Sequence, residues 1–300
     1  MNAPAIPSGV LALMGDAARR QREAEQRCLE LLLAEGFQLV LLPVLEYEQD
    51  SPGAGYRFVD RSGQVVALRT DFTPLAARML APTLAAVAPP LSVCYAGEVV
   101  RPQPHRLRQL PELYQLGFER YGMSAGAAAS LALTLRLAQA AGVDIAACHV
   151  TASVAGLAER ILAKIIEGPP DDELVELLRV RDLDRLQEVA GVRGTTLDAL
   201  AAALFDGDDG PWADTLGVRD ELAALAPVLE TAARSGVPAS IEVAPRLAGD
   251  YYRGAVFSLW GRRTRAVIAG GGDYEVALGR DAVPATGACL SLGIALEEAT

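Results

Sequence analysis

The chain has 300 residues, with 27 Lys and Arg against 38 Asp and Glu, which gives a net charge of −11 and a pI near 4.8. This acidic balance argues against a dedicated nucleic-acid-binding protein, because such proteins carry a basic face for phosphate contacts. Since 51% of the residues are hydrophobic, the chain has ample material for a core, and global disorder is excluded.

Cysteines and histidines give no sign of a metal site or of a disulfide framework. The four cysteines are widely spaced and form no CxxC pair, and only two histidines are present, His105 and His149. The N-terminus lacks the basic and apolar regions of a signal peptide, and no apolar run reaches about 18 residues. We therefore predict a cytoplasmic protein with no metal, no cofactor and no membrane contact.

The chain opens with a predicted helix and a predicted edge strand. Apolar residues at helical spacing predict the helix over Asp16–Glu35, with Asp16 as its N-cap and Gly36 just past its end. The segment Phe37–Leu45 is strand-like but contains Pro43. Because proline cannot complete a ladder of hydrogen bonds, this strand is expected at an edge or an interface.

Short strands surround the next predicted helix. Gln64–Arg69 predicts a strand, and Thr73-Pro74 predicts the N-cap and first position of a helix that runs through Leu80. Two strands and the long exposed loop between them follow at Ser92–Arg101, Leu113–Tyr121 and Pro102–Pro111.

The second half of the chain is largely helical before strands return. Helices are predicted at Gly126–Ala141 and Gly156–Glu167, and charged helical patterns continue from Pro169 to Arg234. We therefore predict a small helical insert at about residues 156–235. The remaining predicted elements are strands at Ser240–Ala244, Tyr251–Trp260, Arg265–Ala269 and Gly287–Leu292, a turn at Gly270–Gly272 and a short C-terminal helix. This order predicts an α+β fold with a mostly antiparallel sheet flanked by helices.

The predicted strand Leu113–Tyr121 carries the most informative polar residues. Side chains alternate between the faces of a strand, so Gln115, Gly117 and Glu119 share one face. Burial of Glu119 without a partner would cost several kcal/mol, so in a central strand it must face a cavity or a cationic group. Two interpretations stay open, the floor of a polar ligand pocket and a half-exposed sheet face in solvent.

Other candidate residues also allow two interpretations each. Asp71 and Thr73 either hold an ammonium group or cap a helix. Arg101 either clamps a carboxylate or phosphate or forms a surface ion pair. Three tyrosines in glycine-bearing segments either contact a polar ligand or line a core, and they are Tyr251, Tyr252 and Tyr274.

Five segments, in this order, resemble the core of class II aminoacyl-tRNA synthetases and, within that class, the histidyl type. They are Gly36–Glu46 (first motif), Leu68–Thr73 (recognition of the amino group), Tyr95–Arg101 with Gln115–Glu119 (second motif), Asp250–Phe257 (histidine-specific motif) and Gly270–Tyr274 (glycine-rich turn). The resemblance extends from about Ile6 to Glu298 and implies one class II synthetase-like core over residues 1–300.

Three positions depart from the synthetase pattern where it supports adenylation. Gln103 replaces an acid in the second motif, Leu247 replaces an arginine near the histidine-specific motif, and Leu296 replaces the arginine of the third motif. Charged clamps on the triphosphate are the main catalytic device in nucleotidyl transfer, so we expect no catalytic residues. The short segment after the third motif also leads us to expect no anticodon-binding domain and no tRNA.

The positions that the resemblance implies for histidine contact are kept. They are Asp71, Thr73, Arg101, Gln115, Glu119, Tyr251, Tyr252 and Tyr274. In the family, carboxylates suit the α-ammonium group, arginine suits the carboxylate, and Glu119 with a tyrosine hydroxyl suits the two imidazole nitrogens.

A synthetase core with a kept histidine site and lost adenylation residues resembles the regulatory subunits of ATP phosphoribosyltransferase. That resemblance implies a non-catalytic role in the first step of histidine biosynthesis, with L-histidine as effector of feedback inhibition. It also implies a short-form catalytic subunit as partner, a self-dimer through the first motif near Pro43, and a hetero-octamer. The alternatives are a histidine-activating ligase without an anticodon domain and an amino-acid-binding module with another partner.

Overall fold

The computed structural model describes residues 10, 12–47, 55–86, 90–101, 111–123, 126–245, 251–278 and 281–300, with the backbone alone at 83–86, 277–278 and 281. The chain divides into two compact units. The first comprises Met1–Met123, Arg136–Asp144 and Val276–Thr300, and the second comprises Ser124–Leu135 and Ile145–Glu275. No helix within the described ranges has the length and apolar character needed to cross a membrane.

Helices and strands follow the predicted order closely. The helices are α1 Asp16–Ala34, α2 Phe72–Ala86, α3 Ala127–Ala140, α4 Leu157–Ile166, α5 Asp172–Arg179, α6 Leu183–Ala190, α7 Thr195–Phe205, α8 Trp212–Thr215, α9 Arg219–Ala223, α10 Ala226–Arg234 and α11 Leu292–Ala299. The strands are β1 Gln38–Leu39, β2 Leu45–Tyr47, β3 Arg57–Val59, β4 Val65–Leu68, β5 Leu91–Val100, β6 Glu112–Tyr121, β7 His149–Val154, β8 Ala239–Ile241, β9 Tyr252–Trp260, β10 Val267–Leu278 and β11 Asp281–Ser291.

The strands form an eight-stranded sheet in the order β1-β5-β6-β11-β10-β9-β7-β8 and a three-stranded sheet in the order β2-β4-β3. The outermost strands pair in parallel, β1 with β5 and β8 with β7. The pairs β5–β6, β6–β11, β9–β10 and β7–β9 are antiparallel. The prediction of a mostly antiparallel sheet in an α+β fold is therefore confirmed.

In the first unit, helices cover both faces of β6. Helix α1 buries Ala24, Cys28 and Leu32 and packs against β5, β6 and α11. On the β6 face that carries Phe118, this ring meets Phe37 edge to face, with ring centroids 5.4 Å apart. The opposite face of β6 lies under the start of α2. Cover on both sides is what a central strand needs.

In the second unit, the helical segment predicted at about 156–235 contains α4 to α10. Two of its helices begin with aspartate caps, since Asp171 accepts from the N–H of Leu174 and Asp182 accepts from the N–H of Arg185. Helix α10 packs against β7 and β8. The helices are as predicted, and the boundaries of the insert stay a prediction.

Several local predictions at the start of the chain need correction. Asp16 is not the cap of α1, because Gly15 precedes the helix with φ 58° and no side chain caps it. Gly36 does lie just past the helix end, with φ 84°, and its N–H donates to the carbonyl of Leu33. The predicted strand Phe37–Leu45 is not continuous, because the chain leaves β1 after Leu39 and enters β2 only at Leu45. Pro43 lies between the two strands, which suits its missing donor.

The predicted turn at Gly270–Gly272 is wrong, because these glycines lie inside β10. A Cβ on Gly272 would lie 2.6 Å from the carbonyl oxygen of Ala255, so glycine here permits close approach of two strand backbones. Strand β7 was not predicted. Most of the predicted loop Pro102–Pro111 lies outside the described residues.

Candidate functional site

Glu119 forms the centre of a polar cluster on the central strand β6. Its side chain is almost fully enclosed, since the residue is 1% exposed. Its Oε1 accepts a hydrogen bond from the hydroxyl of Thr73 at 2.6 Å and another from the hydroxyl of Tyr95 at 2.8 Å. The half-exposed interpretation of this sheet face is therefore wrong, and the buried carboxylate has hydroxyl donors, as burial of a charge requires.

Glycines on neighbouring strands make the room for this cluster. Tyr95 lies opposite Gly117 in the β5–β6 register, and a Cβ on Gly117 would come within 2.6 Å of the Tyr95 ring. Gly287 lies opposite Glu119 in the β6–β11 register, and its Cβ would fall 1.7 Å from Glu119 Oε2. The space over Gly117 is thus occupied by the Tyr95 ring and is not open to a ligand.

The protonation state of Tyr95 is fixed by its surroundings. Burial, together with the negative charge of Glu119, raises the pKa of Tyr95 well above its usual value. The phenol therefore stays a hydrogen-bond donor to the carboxylate at any physiological pH. An acidic group held in this way is suited to a ligand that brings a positive charge or an N–H donor.

Asp71 and Arg101 lie at the start of α2. The helix begins at Phe72, so the predicted cap at Thr73 is wrong, and Asp71 Oδ1 instead accepts the N–H of Thr73 at 2.9 Å. Asp71 Oδ2 lies 3.8 Å from Arg101 Nη2, and Arg101 Nε donates to the carbonyl of Thr70 at 2.7 Å. Capping and ion pairing, the plainer interpretations of these two residues, are therefore both observed.

Gln115 completes the group of predicted site residues in the first unit. It is 4% exposed and shares the face of Glu119, opposite Gly97 on β5 and Ser291 on β11. One sheet face and the adjoining helix start thus bring together two carboxylates, a guanidinium, an amide and two hydroxyls. This is a donor and acceptor set for a small zwitterion.

The three predicted tyrosines lie in the second unit and form a cluster of their own. The rings of Tyr251 and Tyr252 have centroids 4.6 Å apart, and those of Tyr251 and Tyr274 have centroids 5.6 Å apart in an edge-to-face arrangement. Tyr274 pairs with Tyr252 across β9 and β10, next to an irregularity in the register after Gly272. Tyr274 is buried, and Tyr251 and Tyr252 are half-buried.

Three residues that form a chain of contacts ending at Glu119 were not among the predicted site residues. Tyr95 donates to Glu119, Phe72 stacks on Tyr95 with centroids 4.4 Å apart, and the Arg69 guanidinium lies 4.2 Å from the centre of the Phe72 ring. All three belong to segments that the sequence assigns to motifs. The signal that identifies Tyr95 is its position opposite Gly117, which requires the hairpin register.

The positions that depart from the adenylation pattern are only partly described. Leu296 lies on α11, a helix whose sequence contains no basic residue. Gln103 and Leu247 lie outside the described residues. A leucine supplies no charge for phosphate oxygens, so the described part of this pattern offers no clamp at that position.

Comparison with known proteins gives the family. The histidyl-tRNA synthetase family model matches residues 9–294. The ATP phosphoribosyltransferase regulatory subunit of Cupriavidus necator is 33% identical, with 96% of this chain and 80% of that protein covered. The chain belongs to the ATP phosphoribosyltransferase regulatory subunits. It is therefore a regulatory subunit in histidine biosynthesis, as the sequence predicts.

Solved structures agree with the fold of this regulatory-subunit family. An ATP phosphoribosyltransferase regulatory subunit/histidyl-tRNA synthetase from Bacillus halodurans has a TM-score of 0.81 at 21% identity, with 98% of this chain and 83% of that chain covered. The ATP phosphoribosyl transferase (HisG:HisZ) complex of Thermotoga maritima has a TM-score of 0.65 at 20% identity, with 91% and 97% covered. The predicted class II synthetase-like fold is confirmed.

Proposed function

We propose that this regulatory subunit binds L-histidine at the Glu119 cluster and transmits feedback inhibition to a short-form catalytic subunit, which also depends on it for activity. The observation that carries the proposal is the buried Glu119 carboxylate with its hydroxyl donors, Thr73 and Tyr95. A polar cluster of this kind in a central strand is costly for stability alone, so a ligand role accounts for it.

The chemistry of the cluster fits an amino acid. Asp71 and Glu119 supply negative charge for an α-ammonium group or an imidazole N–H, and Arg101 supplies the fork that pairs with a carboxylate. Arg101 is only loosely held by Asp71 at 3.8 Å, so it can exchange this partner for a ligand carboxylate. That Tyr251, Tyr252 and Tyr274 contribute to the same site stays a prediction from the motif resemblance.

Exposed apolar side chains support the proposed self-dimer through the first motif. The segment around Pro43 and the three-stranded sheet expose large apolar residues, of which Leu41 is 85% exposed. The others in these segments are Leu39, Val44, Leu45, Tyr47, Tyr56, Phe58, Val59 and Val65. Concentrated apolar surface of this kind marks an interaction site. A dimer formed there, within a hetero-octamer with the catalytic subunit, is part of the proposal.

Reconstitution tests the proposal. A short-form ATP phosphoribosyltransferase catalytic subunit is assayed alone and with this chain, each with and without L-histidine. We expect turnover to rise on mixing and to fall again with histidine. If mixing changes neither turnover nor histidine sensitivity, the proposal fails.

A pair of carboxylate variants ties the effect to the site. Glu119→Gln keeps the side-chain shape but removes the charge, and we expect it to weaken histidine inhibition by about 10-fold or more. Glu30→Gln, on the exposed side of α1, is the matched control and should leave inhibition unchanged. Histidine-dependent ATP–pyrophosphate exchange would favour the ligase alternative, and calorimetric binding of another amino acid in place of histidine would favour the binding-module alternative.

A further inference from the structure

Arg69 is a buried cation held by backbone carbonyls. The residue is 3% exposed, and burial lowers the pKa of its guanidinium. Its Nη1 donates to the carbonyls of Leu42 at 2.7 Å and Pro43 at 3.2 Å, and its Nε donates to the carbonyl of Glu98 at 2.6 Å. The side chain therefore joins the segment before β2 to the strand β5.

The backbone of Arg69 strengthens the same connection. Its N–H donates to the carbonyl of Val44 at 2.9 Å, and its carbonyl accepts from the N–H of Val100 at 2.9 Å. Side chain and backbone together thus fix the segment Leu42–Val44 through three of its carbonyls. This segment surrounds Pro43, where the proposed dimer contact lies.

A stack of three side chains runs from Arg69 to the Glu119 cluster. The guanidinium lies over the Phe72 ring, Phe72 stacks on the Tyr95 ring at an interplanar angle of 20°, and the Tyr95 hydroxyl donates to Glu119. Gly97 leaves the space for this stack, because a Cβ there would lie 2.5 Å from Arg69 Nη2. Cation–π and stacked-ring contacts each favour one relative geometry of their partners.

We propose that the stack of Arg69, Phe72 and Tyr95 couples the occupancy of the Glu119 cluster to the backbone of Leu42–Val44, and so to the dimer contact. The inference rests on histidine binding at Glu119. A ligand that hydrogen-bonds Glu119 competes with or reorients the Tyr95 hydroxyl. The Tyr95 ring lies between Phe72 and Gly117, where an added Cβ would come within 2.6 Å of it, so a shift of the ring acts on Phe72. Arg69 and Phe72 are positioning residues here, because they act on Glu119 only through Tyr95, which donates the hydrogen bond.

Coupling requires a measurement at the far end of the stack. The probe is L-histidine, the protein is the full chain, and the readout is amide hydrogen exchange of segment 38–47 and of Arg69, whose N–H donates to Val44. We expect histidine to slow exchange of these amides by about fivefold or more, the lower range of allosteric effects. Calorimetry in parallel gives the histidine Kd.

Two substitutions of buried phenylalanine separate coupling from loss of packing. Phe72→Leu removes the ring shared by Arg69 and Tyr95, whereas the control Phe118→Leu removes an equally buried ring on the opposite face of β6. In Phe72→Leu we expect the histidine Kd to stay within about threefold of wild type and the slowing of exchange to fall by at least about twofold, the lower value for loss of one stacked pair. Arg69→Lys, which keeps the charge but loses the planar fork, should give the same loss.

Each outcome decides between the coupling and its alternatives. The coupling is overturned if Phe72→Leu keeps the full slowing, if Phe118→Leu loses it equally, or if Phe72→Leu abolishes histidine binding, which would make the ring a support of the site. Wild-type protein that binds histidine without slowing at 38–47 overturns the coupling but leaves the proposed function intact. Wild-type protein that binds no histidine overturns the proposed function itself.

Discussion

The hydroxyl of Thr73 should be worth more to stability than an ordinary buried hydroxyl. Thr73→Val keeps the side-chain shape and removes the donor that lies 2.6 Å from Glu119 Oε1. Because this acceptor is a buried carboxylate, the lost hydrogen bond should lower the free energy of unfolding by about 1.5–3 kcal/mol. Equilibrium urea unfolding at neutral pH, with the slope m compared between variants, measures the change.

Thr134→Val provides a control at a second threonine whose hydroxyl donates a hydrogen bond, and Thr134 is more deeply buried than the half-buried Thr73. The Thr134 hydroxyl donates at 2.7 Å to the carbonyl of Ser130 one helical turn earlier, which is a neutral acceptor. Its loss should cost about 0.5–1.5 kcal/mol. If the two substitutions cost the same, or if Thr73→Val is neutral, the reasoning that Glu119 is a charged group stabilised by Thr73 is refuted.

A double-mutant cycle with Tyr95→Phe extends this test. Tyr95 and Thr73 donate to the same oxygen of Glu119, so either hydroxyl partly compensates for loss of the other. The double variant should therefore lose more stability than the sum of the single variants, by about 0.5 kcal/mol or more. Simple additivity would show that the two hydroxyls do not share the carboxylate.

Three further outcomes follow from close contacts and burial. Gly272→Ala should lower the free energy of unfolding in urea by about 1–3 kcal/mol, because its Cβ would lie 2.6 Å from the carbonyl oxygen of Ala255. Gly270→Ala should change it by less than about 1 kcal/mol, because its Cβ would lie 3.5 Å from the carbonyl oxygen of Phe257. Equal effects would contradict the strand geometry. Ellman's reagent at pH 8 should label half-exposed Cys289 first. It should fail to label Cys28, because burial raises the pKa of that thiol to about 11. Cys289→Ser should therefore remove the fast phase of labelling. Burial, and then a hydrogen bond to Glu25, raise the pKa of Tyr114 to about 12, above its unfolded value near 10. The stability that Tyr114 contributes is therefore present below pH 10 and is lost between about pH 10 and 12. The free energy of unfolding should fall less over that range in Tyr114→Phe, and an unchanged fall would contradict the sign.

Strand alternation predicted which residues of β6 share a face, and the registers with β5 and β11 confirm it. Alternation could not predict that this face is covered. Its cover comes from the start of α2, which lies 46 residues before Glu119 in the chain at Thr73. The choice between pocket floor and solvent-exposed face therefore depends on a tertiary contact and not on a local pattern.

The errors have the same physical origin. Three consecutive glycines are typical of a turn, but Gly270–Gly272 lie inside β10, and the missing side chain of Gly272 allows close approach to the backbone of Ala255 on β9. Tyr95 was missed because its role depends on lying opposite Gly117, and that register is fixed only when the hairpin forms.

The two outer strands of the large sheet are its shortest, with two residues in β1 and three in β8, whereas β10 has 12. The outer side of β8 is also partly used, because the N–H of Ile241 donates to the carbonyl of Gly207. Unpaired backbone groups on long edges are what allow sheets of different molecules to join and aggregate. Because the described edge strands of the large sheet carry so few of them, this sheet offers another molecule little backbone along which a long strand could be added.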